Sequence, residues 1–230
     1  MKKKLILNLI VATFLGITMI GCSNRTNVQE EKLYTEIKTL QENNNELKDK
    51  YSGLDKKYKT LESKVKDQVA IIEMFKENKE NDKYELIPAY TANVETYKQE
   101  IGFYMIMPKD KTLIQKLNLI AGELSSYYFN NLPIEVTKVE EVEGKKIVVV
   151  NIKESKDNEG IKDVALMKSP TWATGFLQGS AGGITTEDRL IETFLQRDYK
   201  GEWIDGVKFL YHEKTIEFEH VPNLEKVNYR

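Results

Sequence analysis

The sequence predicts a mixed α+β protein, in which a C-terminal sandwich of sheet and helices follows a long coiled-coil helix and a signal peptide. Three observations lead to this prediction. Apolar residues recur every seven positions from Leu33 onward, which is typical of a coiled coil. Strand and helix patterns follow residue 84 in an order typical of α+β domains. The first 21 residues are basic at the start and then mainly apolar.

Residues 1–21 have the organisation of a secretory signal peptide. Lysines at positions 2–4 precede an apolar stretch at 5–20, and a small residue, Gly21, precedes Cys22. The apolar stretch is shorter than the roughly 20 residues that a membrane-spanning helix needs. The order Ile20-Gly21-Cys22 resembles the lipobox of bacterial lipoproteins, although Met19 stands where leucine is usual.

The lipobox resemblance implies that Cys22 becomes the mature N-terminus and carries a diacylglyceryl thioether. Acyl chains such as palmitate would then hold the protein stably on the extracytoplasmic face of the cell membrane, since two or more chains suffice for stable anchoring. The alternatives are an ordinary signal peptide followed by a buried thiol, or a short anchoring helix.

Composition excludes several classes of function. Removal of residues 1–21 takes away three lysines and changes the net charge from -2 to -5, so the chain lacks the basic surface of nucleic-acid-binding proteins. Cys22 is the only cysteine, so no internal disulfide or thiolate metal cluster forms. We expect no metal and no cofactor, since His212 and His220 are the only histidines.

The seven-residue repeat predicts a coiled-coil stalk at residues 28–83, after a short tether at 22–27. Its d positions are Leu33, Leu40, Leu47, Leu54, Leu61, Gln68 and Phe75, and its a positions are Ile37, Asn44, Tyr51, Tyr58, Val65 and Ile72. A helix of this length would extend over roughly 75 Å. The charged stretch at 76–83 predicts a hinge.

A narrow apolar stripe cannot be buried by the helix that carries it, so the repeat predicts a partner. The simplest partner is a second copy of this chain, in a parallel homodimer or trimer. Asn44 at an a position suits a polar pair that sets the register. Tyr51 and Tyr58 are bulky for a tight dimer and leave the oligomer number open. A solvated single helix, or one folded back on the C-terminal domain, is the alternative.

Residues 84–230 have the length of one domain with its own core. The patterns predict strands at 89–97 and 101–107, a helix at 113–128 capped by Asp110, and a hairpin of strands 134–142 and 147–152 around Glu143-Gly144. They further predict a helix at 186–199, a strand at 207–211 and another at 215–218. The apolar second hairpin strand indicates a central strand covered on both faces.

The segment 176–188 is rich in small residues directly before the predicted helix at 186. We identify a candidate binding loop from Gly179, Ser180, Gly182, Gly183 and Thr185, to which Trp172 and Trp203 are added as aromatic ligand contacts. Thr185 and Asp188 have capping-box spacing, and free N–H groups at such a helix start bind anions. The alternative is a tight connection that lets the helix pack closely, with both tryptophans in the core.

The residues Gly179-Ser180, Thr186-Glu187 and Thr193-Phe194-Leu195, followed by the strand at 205–209, resemble the GerMN domain of sporulation and spore-germination proteins. The hairpin at 136–152 is similar to a stretch of the same family. The resemblance covers residues 89–211, and the chain departs from it at 211–214, where the family has a glycine, and in its tail to Arg230. It implies a non-catalytic binding or assembly module of envelope lipoproteins.

The sequence offers weak candidates for catalysis. Ser180 lies among glycines but lacks the spacing of a nucleophile elbow, and its possible bases are His212 and His220. Glu140, Glu141 and Glu143 lie on the predicted hairpin, where we expect them to face solvent rather than to form a catalytic pair. Tyr199 joins the two tryptophans as an exposed aromatic candidate for glycan stacking.

These observations together predict a non-enzymatic, lipid-anchored protein of the cell envelope. Its stalk would present the domain to an envelope protein or to the cell wall, in sporulation, germination or envelope assembly. The alternative is a hydrolase that acts on peptidoglycan or another envelope component, with the coiled coil as a spacer.

Overall fold

The computed structural model describes residues 26–77 and 82–230, with side chains from residue 31 onward in the first range. These residues form two compact units that divide between Thr60 and Leu61. The signal peptide, Cys22 and most of the tether lie outside the described residues, as does the middle of the predicted hinge. No helix in the described ranges is long and apolar enough to span a membrane.

The first element is helix α1, Thr26–Lys76, which is 51 residues long. The long helix that the seven-residue repeat predicted is therefore confirmed. Its pairing with a second copy stays a prediction.

Strands β1 (Tyr84–Ala92) and β2 (Gln99–Pro108) form an antiparallel two-stranded sheet. The predicted bounds of the first strand are wrong, since β1 begins five residues earlier and ends where the Asn93 side chain accepts the Glu95 and Thr96 N–H groups. Pro88 lies inside β1, because this strand is an edge and the Pro88 carbonyl oxygen faces the Gln196 side chain instead of β2.

Helix α2, Leu113–Tyr128, has the predicted bounds, but its N-cap differs from the prediction. Thr112 is the N-cap, and it forms a capping box with Gln115 in which each side chain bonds the other residue's backbone N–H. Asp110 is therefore not the cap.

The predicted hairpin is confirmed as strands β3 (Ile134–Val142) and β4 (Lys145–Ile152). The turn residues Glu143 and Gly144 have φ values of 53° and 76°, the left-handed conformation that a tight hairpin turn requires. Strand β4 is central, since it pairs with β3 on one side and, in parallel, with β5 (Gly206–Tyr211) on the other.

Helix α3, Ser180–Leu195, lies between β4 and β5 in the chain and provides the crossover that a parallel pair requires. The sheet order is β3-β4-β5-β6, where β6 is Lys214–Thr215, and β7 (Asn228–Tyr229) also pairs with β5. The predicted strand at 215–218 is wrong, because only Thr215 of that range belongs to a strand.

The hydrophobic core lies between the two sheets and helices α2 and α3. Its largest fully buried side chains include Trp172, Phe129, Phe194, Phe209, Ile87 and Met107. The described residues therefore form a mixed α+β domain preceded by a long helix, as the sequence predicted.

Candidate functional site

The segment of small residues forms the first turns of α3 instead of a loop before it. Gly179 is the N-cap, with φ of 78°, and its carbonyl oxygen accepts the first helical hydrogen bond from Gly183 N–H at 2.7 Å. The predicted helix start at residue 186 is therefore wrong by six residues. Thr185 is inside the helix, where its hydroxyl donates to the Ala181 carbonyl oxygen at 2.7 Å, so it is not a cap.

The two adjacent glycines of α3 have different surroundings. A Cβ added at Gly183 would lie 2.1 Å from the backbone carbonyl oxygen of His220, whereas a Cβ at Gly182 would meet nothing within 4 Å. Gly183 thus permits the close approach that the packing alternative expected. Ser180 and Gly182 are exposed, so the solvent-facing part of the candidate loop is confined to the helix start.

Trp172 and Trp203 belong to the core. Trp172 is 0% exposed and packs against the Phe129 ring at 4.6 Å between centroids, and Trp203 is 5% exposed and donates its indole N–H to the Phe194 carbonyl oxygen at 2.8 Å. The expectation of exposed stacking platforms is wrong for both side chains. Tyr199 is half-buried, and its hydroxyl bonds the Glu85 carboxylate at 2.9 Å.

A buried carboxylate that the sequence did not reveal holds the segment around Trp172. Glu154 accepts the Trp172 and Ala173 N–H groups at 3.1 and 2.9 Å, and the Tyr211 hydroxyl donates to it at 2.9 Å. Burial, followed by the Glu154 charge, raises the pKa of Tyr211. No local motif marks Glu154, because its partners are distant in sequence. Its role is to tie three segments of the core together.

The candidate catalytic groups already have structural partners or face solvent. His212 accepts the Glu154 backbone N–H on Nε2 at 3.2 Å, which engages one of its two ring nitrogens in a structural contact. Glu140 pairs with Lys138 at 2.6 Å, and Glu141 is exposed, as the sequence predicted. The described residues contain no group of three or more side chains able to hold a metal ion.

A polar cluster joins α3 to α2 and β1. The Arg189 guanidinium lies 4.2 Å from the centre of the Tyr128 ring, and its Nε donates to the Thr91 hydroxyl at 3.0 Å. Burial raises the pKa of Asp188 to about 6, the Glu192 charge adds to this effect, and Arg189 opposes it. Burial likewise raises the pKa of Tyr128 to about 12. Burial thus makes both the Asp188 carboxyl and the Tyr128 hydroxyl costly to ionise.

The apolar stripe of α1 is the largest exposed hydrophobic feature of the first unit. The apolar side chains at the a and d positions from Leu33 to Leu61 are all at least 48% exposed, and most are about 60% exposed. Contiguous exposed apolar surface of this kind marks an interaction site.

The last turns of α1 contact the domain through polar side chains. The Gln68 amide bonds the free edge of β2, accepting Tyr104 N–H at 2.9 Å and donating to the Tyr104 carbonyl oxygen at 3.0 Å. Lys64 Nζ donates to the Ser126 carbonyl oxygen at 2.6 Å and lies 4.7 Å from the centre of the Tyr127 ring. Burial lowers the pKa of Lys64. We name Lys64 and Gln68 the docking pair.

The sequence contained one signal for the docking pair. Gln68 is a polar residue at a d position, where the repeat otherwise has leucine or phenylalanine. The repeat places Gln68 in the seam of the coiled coil, but its amide bonds the backbone N–H and C=O of Tyr104 at the edge of β2. The contact satisfies the N–H and C=O groups of Tyr104, on an edge whose unpaired backbone groups would favour aggregation.

The chain was compared with protein-family models, curated proteins and solved structures, and no match was found. The elements themselves define the class of protein, which is a mixed α+β domain preceded by a long helix. The relation to GerMN domains remains a resemblance of sequence.

Proposed function

We propose that this protein is a lipid-anchored, non-enzymatic component of the cell envelope. Helix α1 serves as a coiled-coil stalk that self-associates and presents a GerMN-like α+β sandwich domain to an envelope protein or to the cell wall. Sporulation, germination and envelope assembly are the processes that the GerMN resemblance suggests. The observation that carries the proposal is the exposed apolar stripe of α1 between Leu33 and Leu61.

The anchor is supported by the sequence alone. Cys22 directly follows a basic and apolar signal segment and the small residue Gly21. A protein held by acyl chains at Cys22 would reach its partner only through a spacer. Helix α1 begins at Thr26, a few residues after the cysteine, and supplies such a spacer.

The docking pair supports the role of α1 as a stalk rather than a loose tether. The Gln68 amide and the Lys64 ammonium bond backbone groups of β2 and α2, which are parts of the folded domain. Backbone groups of regular elements are fixed in position. The last turns of α1 are therefore held by the domain.

A non-enzymatic role is supported by the engagement of the candidate groups. Nε2 of His212 is occupied by a backbone N–H, and Gly183 provides a packing contact. Trp172 and Trp203 fill the core. Of the candidate loop, Gly179, Ser180 and Gly182 are exposed at the start of α3, which is suited to contact with a partner.

Metabolic labelling with a fatty-acid analogue tests the anchor. The full chain should incorporate the label, and Cys22→Ala should abolish it, because the thioether forms on that sulfur. Ser23→Ala is the matched control and should be labelled normally. Equal labelling of Cys22→Ala and the full chain would contradict lipidation at this site.

Incubation of the purified protein with isolated cell wall separates binding from hydrolysis. Co-sedimentation without release of soluble fragments would support a binding module. Release of soluble fragments would contradict the proposal and support the alternative of an envelope hydrolase. Ser180→Ala is the informative variant in that case, since its side chain is exposed and its loss should stop release if Ser180 were the nucleophile.

A further inference from the structure

We propose that the occupant of the exposed α1 stripe is a second copy of this chain that lies parallel to the first and in register. This inference rests on the self-association proposed above and adds its direction and alignment. The inference follows from two features of the stripe. The first is the set of residues at its edges, in heptad positions e and g, and the second is Asn44, the single polar residue inside it. In coiled coils these positions set partner choice and orientation.

The flanking charges match in this arrangement. In a parallel, in-register pair, each g residue faces the e residue five positions later on the other helix. Lys50 then faces Asp55, and Lys57 faces Glu62. Each contact forms twice because the pair is symmetric, so four contacts of opposite charge flank the seam.

The earlier g positions introduce no repulsion. Glu36 faces Gln41 and Asn43 faces Lys48, so neither contact joins like charges. Lys50 and Asp55 have exposed partners on their own helix, Glu46 at 2.6 Å and Lys59 at 2.7 Å. Exposed ion pairs of this kind contribute little to stability. Replacing them with contacts across the seam therefore costs little free energy.

Asn44 distinguishes the parallel arrangement from its competitors. In register, the two Asn44 amides meet each other inside the seam and can bond. In an antiparallel pair an a residue faces a d residue. The overlaps that bury most of the stripe place Asn44 against Leu47 or Leu54, which leaves the amide without a partner. A parallel slip of one heptad separates the asparagines and brings Lys50 opposite Lys48.

The docking pair leaves the seam accessible in the second unit. Leu61, Val65, Val69 and Ile72 are between 38% and 61% exposed, although Lys64 and Gln68 contact the domain. At 3.6 residues per turn, the centres of the two faces are roughly 75° apart around the helix. A second helix can therefore contact these apolar side chains, whereas Gln68, although it is a d residue, contacts the domain.

Cysteine cross-linking of the full lipidated chain in detergent tests the alignment. Leu54 is a d residue that faces its own copy only in the parallel, in-register arrangement. We expect Leu54→Cys to form a disulfide-linked dimer under mild oxidation. Lys56→Cys, which points away from the seam, is the matched control and should stay unlinked.

Charge exchange provides the second measurement. Lys50→Glu with Lys57→Glu, or Asp55→Lys with Glu62→Lys, should each weaken self-association by at least about tenfold, and a mixture of the two variants should restore it. Circular dichroism and sedimentation verify that each variant is folded and report its size. Weakening of each variant alone, followed by restoration in the mixture, is the result expected when g and e residues meet across the seam, and the Leu54→Cys cross-link reports the direction of the helices.

The outcomes separate this inference from the function on which it rests. One outcome is that sedimentation shows an oligomer while Leu54→Cys alone forms no disulfide and a mixture of Leu54→Cys with Ile37→Cys does. This result would overturn the parallel arrangement but leave self-association intact. A monomer at tens of micromolar for the unmodified chain would overturn both.

Discussion

Gly182 and Gly183 provide a matched pair for the question of whether the small residues of α3 serve packing or binding. Both are helical, so replacing either with alanine gains about 1 kcal/mol of helix propensity. A Cβ at Gly182 meets nothing within 4 Å, whereas one at Gly183 lies 2.1 Å from the His220 carbonyl oxygen. The backbone at His220 would have to retreat by about 1 Å, and such overpacking costs about 1–3 kcal/mol.

The propensity gain cancels when the two variants are compared with each other. Gly183→Ala should therefore be less stable than Gly182→Ala by about 1–3 kcal/mol, which for a domain of this size lowers the unfolding midpoint by about 2–4 °C per kcal/mol. Urea unfolding followed by fluorescence measures this difference, since Trp172 and Trp203 are both buried in the domain. Equal stability of the two variants would refute the packing role of Gly183.

Three further predictions concern polar groups. Asp188→Asn should stabilise the protein at pH 8 by about 1 kcal/mol, since a pKa raised to about 6 costs the wild type stability as pH rises through 6. The full shift corresponds to about 3 kcal/mol, which solvent screening of this half-buried group reduces. The gain should vanish in urea unfolding at pH 3, and persistence there would contradict it. Gln68→Ala should speed hydrogen exchange of the Tyr104 amide severalfold, because that N–H loses its acceptor; unchanged exchange would disprove the edge contact. Glu154→Gln should destabilise the domain by about 1.5–3 kcal/mol in urea, because three donors converge on that carboxylate, whereas the exposed Glu141→Gln should be neutral.

Elements whose signals are local in sequence were predicted well. The bounds of α2 follow from apolar spacing, and the β3–β4 hairpin follows from two apolar runs around Glu143-Gly144. The length of α1 follows from its seven-residue repeat. In each case the residues that determine the structure are within a few positions of one another.

Predictions failed where a distant contact overrides a local preference. Glycines are poor helix formers, so the start of α3 was placed after them, but Gly183 is helical because only glycine fits against His220. The predicted strand begins directly after Pro88, but Pro88 lies within β1, because this strand is an edge whose carbonyl oxygen at Pro88 accepts from the Gln196 side chain. The burial of Trp172 depends on aromatic neighbours far along the chain.

The candidate site shows the same division. The sequence by itself determined the long helix, the apolar stripe with its flanking charges, and the basic and apolar pattern before Cys22, because each is a pattern of neighbouring residues. Only the tertiary structure decided that Gln68 bonds a strand edge, that Glu154 joins three segments, and that the stripe stays exposed. These contacts join residues tens of positions apart, and the free energy of such a contact depends on the partner that folding brings to it.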